Sequence, residues 1–72
     1  MSKAVAPITG TVWKIPVKVG DSVEAGTALV ILESMKMEMP IEAEEAGRVR
    51  EIHVSEGQAV DEGDDLVTLE TA

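Results

Sequence analysis

The chain repeats its own sequence once. Residues 6–33 align without gaps with residues 43–70, an offset of 37, and twelve of the 28 aligned positions are identical. Chance would give about two identities, so we infer an internal duplication. The identical residues are glycines, small or aliphatic side chains and one glutamate: Ala6/Ala43, Gly10/Gly47, Val12/Val49, Ile15/Ile52, Val17/Val54, Gly20/Gly57, Val23/Val60, Gly26/Gly63, Leu29/Leu66, Val30/Val67, Leu32/Leu69 and Glu33/Glu70. Two copies are too few for a stacked repeat array, so we predict a single domain, residues 1–72, built from two similar halves.

Each half has the sequence signals of short strands. Valine and isoleucine are frequent, glycines punctuate both halves, and no stretch keeps a helical period over three turns. We predict long strands over 10–17 and 47–54, short ones at Val23 and Val60, and further strands over 28–33 and 65–70. With no helix to cover a face, the two sets of about four strands must pack on each other. The sequence therefore predicts an all-β sandwich or flattened barrel of antiparallel strands with pseudo-twofold symmetry.

The first long strand of each half is predicted to contain a β-bulge. Val12 and Ile15 have opposite parity in a simple alternation, as do the aligned residues of the second half, so an extra residue at 13–14 and 50–51 is needed to turn both inward. Trp13 aligns with Arg50, and an arginine would be costly in a small apolar core. We therefore expect Trp13 to be at least partly exposed.

Charge is distributed unevenly and limits the partners that the chain can have. The net charge is −8, with +1 on residues 1–36 and −9 on residues 37–72. Such a chain repels nucleic acids and anionic membranes, so a charged partner surface should be basic. There is no cysteine and no run of 18 apolar residues, and we expect a cytoplasmic monomer without a metal site.

One lysine marks the junction between the repeats. Lys36 lies between Met35 and Met37, and we predict a hairpin tip at 34–37 with this lysine projecting into solvent. Two-residue turns favour Asn-Gly or Gly-Gly because both central residues need positive φ, so Met-Lys violates the local rule. Such violations often mark functional sites. We expect Met39 to fill the core, whereas Met35 and Met37 suit a surface that another protein contacts by adaptable packing.

No catalytic constellation is evident. His53, the only histidine, aligns with Pro16 on a strand, where an ordinary surface residue is expected. The chain has no cysteine or tyrosine, and 72 residues leave little room for a pocket. We therefore predict a protein that is not an enzyme.

The chain has ESMKME at residues 33–38, and the halves on either side carry GTVWKIPVKVG and GRVREIHVSEG. In these motifs it resembles the biotinyl/lipoyl attachment domain family, in particular small biotin carboxyl carriers. The resemblance covers nearly the whole chain. It implies a flattened barrel of two four-stranded sheets, the barrel-sandwich hybrid of these carriers, with Lys36 as the residue that bears covalent biotin. Glu33, Ser34, Met35, Met37 and Glu38 would then be recognised by the ligase and other partners.

The resemblance also implies a mechanism. A biotin protein ligase would supply an activated biotinyl group, because an exposed lysine amine is mostly protonated near neutral pH and does not acylate itself. The carrier would then shuttle carboxyl groups between a biotin carboxylase and a carboxyltransferase without doing chemistry of its own. The family more often has alanine where Ser34 stands, and the ungapped repeat leaves no room for the protruding thumb of some bacterial carriers.

Two alternatives remain open at this stage. Lipoate could occupy Lys36 instead of biotin, although lipoyl domains usually have Asp-Lys-Ala at the tip. The second alternative is an unmodified barrel with a structural or interaction role, but such barrels do not need the Met-Lys-Met sequence.

Overall fold

A computed structural model describes residues 1–71, which contain strands and no helix. The strands are β1 (Ser2–Val5), β2 (Gly10–Lys14), β3 (Ser22–Val23), β4 (Ala28–Ser34), β5 (Met37–Glu42), β6 (Gly47–Ile52), β7 (Ala59–Val60) and β8 (Asp65–Thr71). The molecule measures 35 × 18 × 18 Å along its principal axes. Nothing in residues 1–71 forms a helix that could cross a membrane.

The eight strands form two four-stranded sheets, in the orders β1-β8-β6-β3 and β5-β4-β2-β7. All pairings are antiparallel. Exchanging β1–β4 with β5–β8 converts one sheet order into the other, so the duplication appears as pseudo-twofold symmetry. Each sheet takes two strands from each half. The predicted sandwich of two four-stranded antiparallel sheets is confirmed, and neither half has a sheet of its own.

The core lies between the two sheets and is made from aligned pairs of the repeat. Its largest fully buried side chains are four such pairs: Leu29 and Leu66, Val30 and Val67, Leu32 and Leu69, and Val12 and Val49. Each is 0–1% exposed. Residues of the central strands β4 and β8 supply most of them, because a central strand is covered on its inner face by the opposite sheet.

The predicted bulges are present in both halves. The register between β2 and β4 shifts between Val12 and Lys14, and that between β6 and β8 shifts between Val49 and Glu51. Ile15 and Ile52 are only partly buried against the core, and β2 already ends at Lys14, earlier than predicted. Trp13 is 41% exposed, as its alignment with arginine predicted.

Four tight turns tie the halves together. In residues 18–21, 24–27, 55–58 and 61–64 the fourth N–H donates to the first carbonyl at 3.0–3.1 Å, and the third residue is a glycine with φ between 87° and 97°. This is the pattern of a type II turn. The Gly20 N–H donates to the carbonyl of Val49 at 2.8 Å, and the Gly57 N–H donates to that of Val12 at 2.7 Å. A turn of the first half therefore hydrogen-bonds β6, and a turn of the second half hydrogen-bonds β2.

His53 is an exposed residue, as expected, but its ring makes one contact that the sequence did not predict. Its Nε2 lies 2.7 Å from Oγ1 of Thr68, a buried hydroxyl on β8, and its side chain is 32% exposed. The ring thus satisfies a polar group at the centre of a sheet. The alignment could not reveal this contact because the equivalent residues of the first half are Pro16 and Ile31.

Candidate functional site

The connector between the repeats is a two-residue hairpin turn. β4 ends at Ser34, β5 begins at Met37, and these two residues are paired, which leaves Met35 and Lys36 as the loop. Their φ angles are 53° and 65°, both in the left-handed region. Two consecutive positive φ angles characterise a type I′ turn, which matches the twist of the flanking strands and normally contains Asn-Gly. Here neither residue has a conformational preference for it.

The neighbouring strands impose this turn. β4 is a central strand held between β2 and β5, and the register that joins it to β5 runs continuously from Ile31 opposite Pro40 to Ser34 opposite Met37. Leu32 is fully buried, so a register shift would move an essential core residue to the surface. The cost of a left-handed non-glycine residue is about 1 kcal/mol or more, and core packing offsets it here.

Lys36 is exposed and has no carboxylate holding it. Within residues 1–71 the ion pairs are Lys3 with Asp65 and Arg50 with Glu70, and neither includes Lys36. Met35, which precedes it, is 91% exposed, and Met37, which follows it, is 72% exposed. A macromolecule that approaches the end of the hairpin therefore reaches the lysine amine together with two thioether side chains.

The two faces of the hairpin differ in chemistry. Glu33 lies opposite Glu38, and both side chains are exposed. Because side chains alternate along a strand, Met37 and Met39 project from the other face, the one that carries buried Leu32. The tip thus has an acidic outer face and an apolar inner face, with the lysine at the turn between them.

The inner face borders a shallow apolar depression of about 310 Å³. Its lining is mainly apolar, from Ile8, Met35, Met37, Met39 and Pro40, and Ser34 and Glu38 also contribute. The expectation that Met39 fills the core was wrong: it is 37% exposed, because its parity points inward but β5 is an edge strand and the sandwich does not cover it there. Ile8 was not predicted, since it lies in the loop before β2 and aligns with Glu45 in the second copy.

Gly10 lets the base of the hairpin pack closely. A Cβ at this position would lie 2.8 Å from the carbonyl oxygen of Glu33 and 3.4 Å from Cβ of Ser34. Gly47 occupies the equivalent place in the other half, where a Cβ would lie 2.7 Å from the carbonyl oxygen of Glu70. Gly10 and Gly47, one of the three aligned glycine pairs, therefore allow close backbone contact, and Gly10 does so directly beneath the tip.

The hairpin brings together every residue that the sequence placed at the site: Glu33, Ser34, Met35, Lys36, Met37 and Glu38. The polar groups among these are one amine, one hydroxyl and two carboxylates. His53 directly follows β6, and its ring contacts Thr68 of β8, in the sheet that does not contain the hairpin. An accessible primary amine at the end of a hairpin suits acyl acceptance when another protein activates the acyl group and removes the proton.

Comparison with known proteins finds relatives that are biotin carriers or biotin/lipoyl attachment proteins by name. Residues 2–69 match the biotin/lipoyl family described as "Biotin-requiring enzyme". The chain is 50% identical over 62 residues to the biotin/lipoyl attachment protein of Bacillus subtilis (strain 168), a match that spans 86% of this chain and 85% of that protein. It is 53% identical over 64 residues to the biotin carboxyl carrier protein of Streptococcus mutans, spanning 89% of this chain but 49% of that protein.

Solved structures of larger proteins contain a similar unit. The urea carboxylase of Kluyveromyces lactis matches with a TM-score of 0.91 at 36% identity, over 96% of this chain and 6% of that one. A single-chain, multi-domain long-chain acyl-CoA carboxylase matches with a TM-score of 0.86 at 36% identity, over 92% of this chain and 7% of that one. In both cases the present chain corresponds to a small part of a much longer polypeptide.

Proposed function

Because this chain belongs to the biotin/lipoyl attachment family, we propose that it is a biotin carrier and that Lys36 bears biotin as an amide. One observation supports the attachment site above the others. Lys36 occupies a strained two-residue turn, exposed between two exposed methionines, where a solvated loop would have Asn-Gly. Strain of this kind persists when the surrounding structure imposes it, and it often accompanies function.

Attachment requires a ligase because the tip has no group placed to activate its own amine. The ligase would supply a biotinyl adenylate and accept a proton from the Lys36 ammonium group. The nitrogen would then attack the acyl carbon and lose a second proton to solvent, an amide bond would form, and the bond from the acyl carbon to the phosphate oxygen would break so that AMP leaves. The product has one positive charge fewer, so the net charge changes from −8 to −9.

When bound, biotin supplies a ureido nitrogen that accepts and releases a carboxyl group. The contribution of the chain is to hold the attachment nitrogen at an exposed end and to present surfaces that partners recognise. We propose a biotin carboxylase and a carboxyltransferase as these partners, with the chain itself acting as a carrier rather than as an enzyme. Support comes from relatives that are carriers or carboxylases by name, among them the methylcrotonoyl-CoA carboxylase subunit alpha of rat.

Recognition would use both faces of the hairpin. The exposed thioethers of Met35 and Met37 can pack against apolar surfaces of different shapes, which suits a tip that must fit a ligase and then two carboxylase active sites. Glu33 and Glu38 would face basic groups of these partners, with Ser34 at the base of the turn. An acidic outer face accelerates encounter with a basic partner and makes that encounter dependent on salt.

The attachment site is tested by replacing Lys36 with arginine. Lys36→Arg retains a positive charge and a long side chain but has no amine that can be acylated, so purified ligase with ATP and biotin should leave it unmodified. Lys18→Arg, in an exposed turn of the first half, is the matched control and should be biotinylated at the rate of the unchanged protein. Biotin on Lys36→Arg would overturn the site assignment.

Lipoate is the alternative group, since the family includes both attachments. The same assay with a lipoyl ligase and lipoate distinguishes them. We expect biotin transfer to be much faster, because Met35 and Met37 stand where lipoyl domains usually have aspartate and alanine. Exclusive lipoylation of Lys36 would leave the site assignment intact and overturn the biotin assignment.

A further inference from the structure

We propose that Met35 and Met37 form a redox-sensitive modification site: their conversion to methionine sulfoxide by hydroperoxides blocks recognition of the tip. The recognition step rests on the proposed function, whereas the oxidation step does not. The chemistry needs no group from the protein. The thioether sulfur attacks one oxygen of hydrogen peroxide, the O–O bond breaks, an S=O bond forms and water leaves, so that sulfur is oxidised by two electrons and peroxide is reduced.

The sequence makes methionine the principal target. The chain has four methionines and no cysteine, so no thiol competes for the oxidant. Among the side chains that are present, only the methionine thioethers and the single tryptophan are readily oxidised. Two of the four thioethers flank the lysine at the tip.

Exposure separates the methionines of the hairpin. Met35 is 91% exposed and Met37 is 72% exposed, whereas Met39, two residues further along β5, is 37% exposed and lines the depression beside Pro40. Oxidation follows access to the sulfur. Met35 and Met37 should therefore be oxidised before Met39, which gives an internal reference within the same hairpin.

The consequence of oxidation follows from the surface that these residues form. Met35 and Met37 belong to the wall of the apolar depression, and Ile8 and Pro40 contribute further apolar area. A sulfoxide replaces an apolar, flexible group by a strongly polar and chiral one. A partner site shaped for a thioether would bury that S=O dipole without a hydrogen-bond donor, which lowers affinity.

Oxidation would leave the fold intact. Neither side chain belongs to the hydrophobic core, and the turn is imposed by the pairing of β4 with β5 rather than by packing of Met35 or Met37. The modification therefore changes the surface of the tip that partners contact, without unfolding the carrier. Sulfoxides are reduced by methionine sulfoxide reductases, so the change is reversible.

The first measurement is site-resolved oxidation. The unmodified protein is treated with dilute hydrogen peroxide, and peptide mass spectrometry follows sulfoxide at each methionine against time. Met35 and Met37 should react several-fold faster than Met39. Equal or faster oxidation of Met39 would overturn the proposal, and this result does not depend on whether Lys36 is biotinylated.

The second measurement is the ligase kinetics of the protein oxidised at Met35 and Met37. We expect kcat/KM to fall about tenfold or more, chiefly through a higher KM, and to recover after treatment with sulfoxide reductase. Unchanged kcat/KM after oxidation would overturn the proposal. If the untreated protein were not a substrate, the proposed function would fail instead, so the two failures are distinguishable.

Variants separate these sulfurs from other effects of peroxide. Met35→Leu combined with Met37→Leu keeps apolar side chains without sulfur, and its ligase kinetics should be insensitive to peroxide. Met39→Leu, the matched control, should remain as sensitive as the unchanged protein. If the double variant were a poor substrate from the start, reversal by the reductase in the unchanged protein would still decide the question. Peroxide sensitivity that persists in an active double variant would contradict the role of these two residues.

Discussion

The left-handed backbone at Met35 and Lys36 lowers stability at the one place where the chain is proposed to be modified. Two non-glycine residues have φ angles of 53° and 65°, and each costs about 1 kcal/mol or more relative to ordinary conformations. A glycine would remove that cost, but glycine cannot supply an amine or a thioether. The residues at this tip therefore fit contact with another protein better than they fit the turn.

Gly10 and Gly47 offer a matched test of how the tip is supported. An added Cβ would meet a backbone carbonyl oxygen at 2.8 Å for Gly10 and at 2.7 Å for Gly47. Gly10→Ala and Gly47→Ala should each lower the free energy of unfolding by about 1–3 kcal/mol, because strand backbones must separate. Urea titration measures this loss.

The two substitutions should differ in their effect on modification. Gly10→Ala displaces Glu33 and Ser34 at the base of the hairpin, so biotinylation by the ligase should slow. Gly47→Ala displaces Glu70, on the sheet that lacks the tip, and biotinylation should be unchanged well below the unfolding temperature. Equal slowing in both variants would mean that global stability, and not tip geometry, controls the rate.

At the scale of the strands, the repeat carries most of the information that the sequence provides. Aligning two copies predicted six of the eight strands, both bulges and the exposure of Trp13, because a position must suit the residues of both halves. Strand alternation gave the wrong burial for Met39, and the alignment gave no sign of the contact between His53 and Thr68. Parity gives the direction of a side chain but not whether another element covers it, and a contact between differing positions leaves no signal in the alignment.

Ile8 and Gly10 show a further limit. Neither belongs to the short motif around Lys36, yet one lines the depression beside the tip and the other allows its base to pack. Their positions depend on how the loop before β2 approaches the end of β4. That approach is a long-range feature, which local patterns along the sequence do not specify.

The acidic face of the hairpin can be tested by removing one charge. Glu33 and Glu38 lie directly opposite each other, and like charges in this arrangement are destabilising. Glu38→Gln should raise the free energy of unfolding by a few tenths of a kcal/mol, as measured by urea titration at low salt. The same substitution should slow biotinylation at low salt, with the difference shrinking as salt increases.

Glu24→Gln is the control for this prediction. Glu24 is exposed in the turn formed by residues 24–27, which hydrogen-bonds Ala43 beyond the end of β5 that is opposite the tip, and removing its charge changes the net charge by the same amount. Ligase kinetics should be nearly unchanged. If both variants slowed equally, the total charge of the carrier would matter and the acidic face of the hairpin would not.

At the scale of the whole molecule, the two halves share both sheets and one core. Each sheet contains two strands from each half. A turn of the first half hydrogen-bonds β6, and a turn of the second half hydrogen-bonds β2. A small domain of this kind should unfold in a single transition. Duplication thus produced two sheets that share one core rather than two independent units.

Aligned core substitutions test this cooperativity. Val12 and Val49 are equivalent in the repeat, and each is 1% exposed. Val12→Ala and Val49→Ala should each reduce the free energy of unfolding by about 2 kcal/mol, with equal dependence on denaturant concentration. Val5→Ala, at an exposed edge position, should have a much smaller effect. A second transition in either core variant would indicate halves that unfold separately.

The central claim, that Lys36 is the biotin attachment site, is tested most directly by mass. The protein is produced together with a biotin ligase and excess biotin, its intact mass is measured, and the peptide that contains residues 33–38 is sequenced by tandem mass spectrometry. The account predicts one added biotinyl group, located on Lys36. An unmodified chain, or biotin on any other lysine, would contradict it.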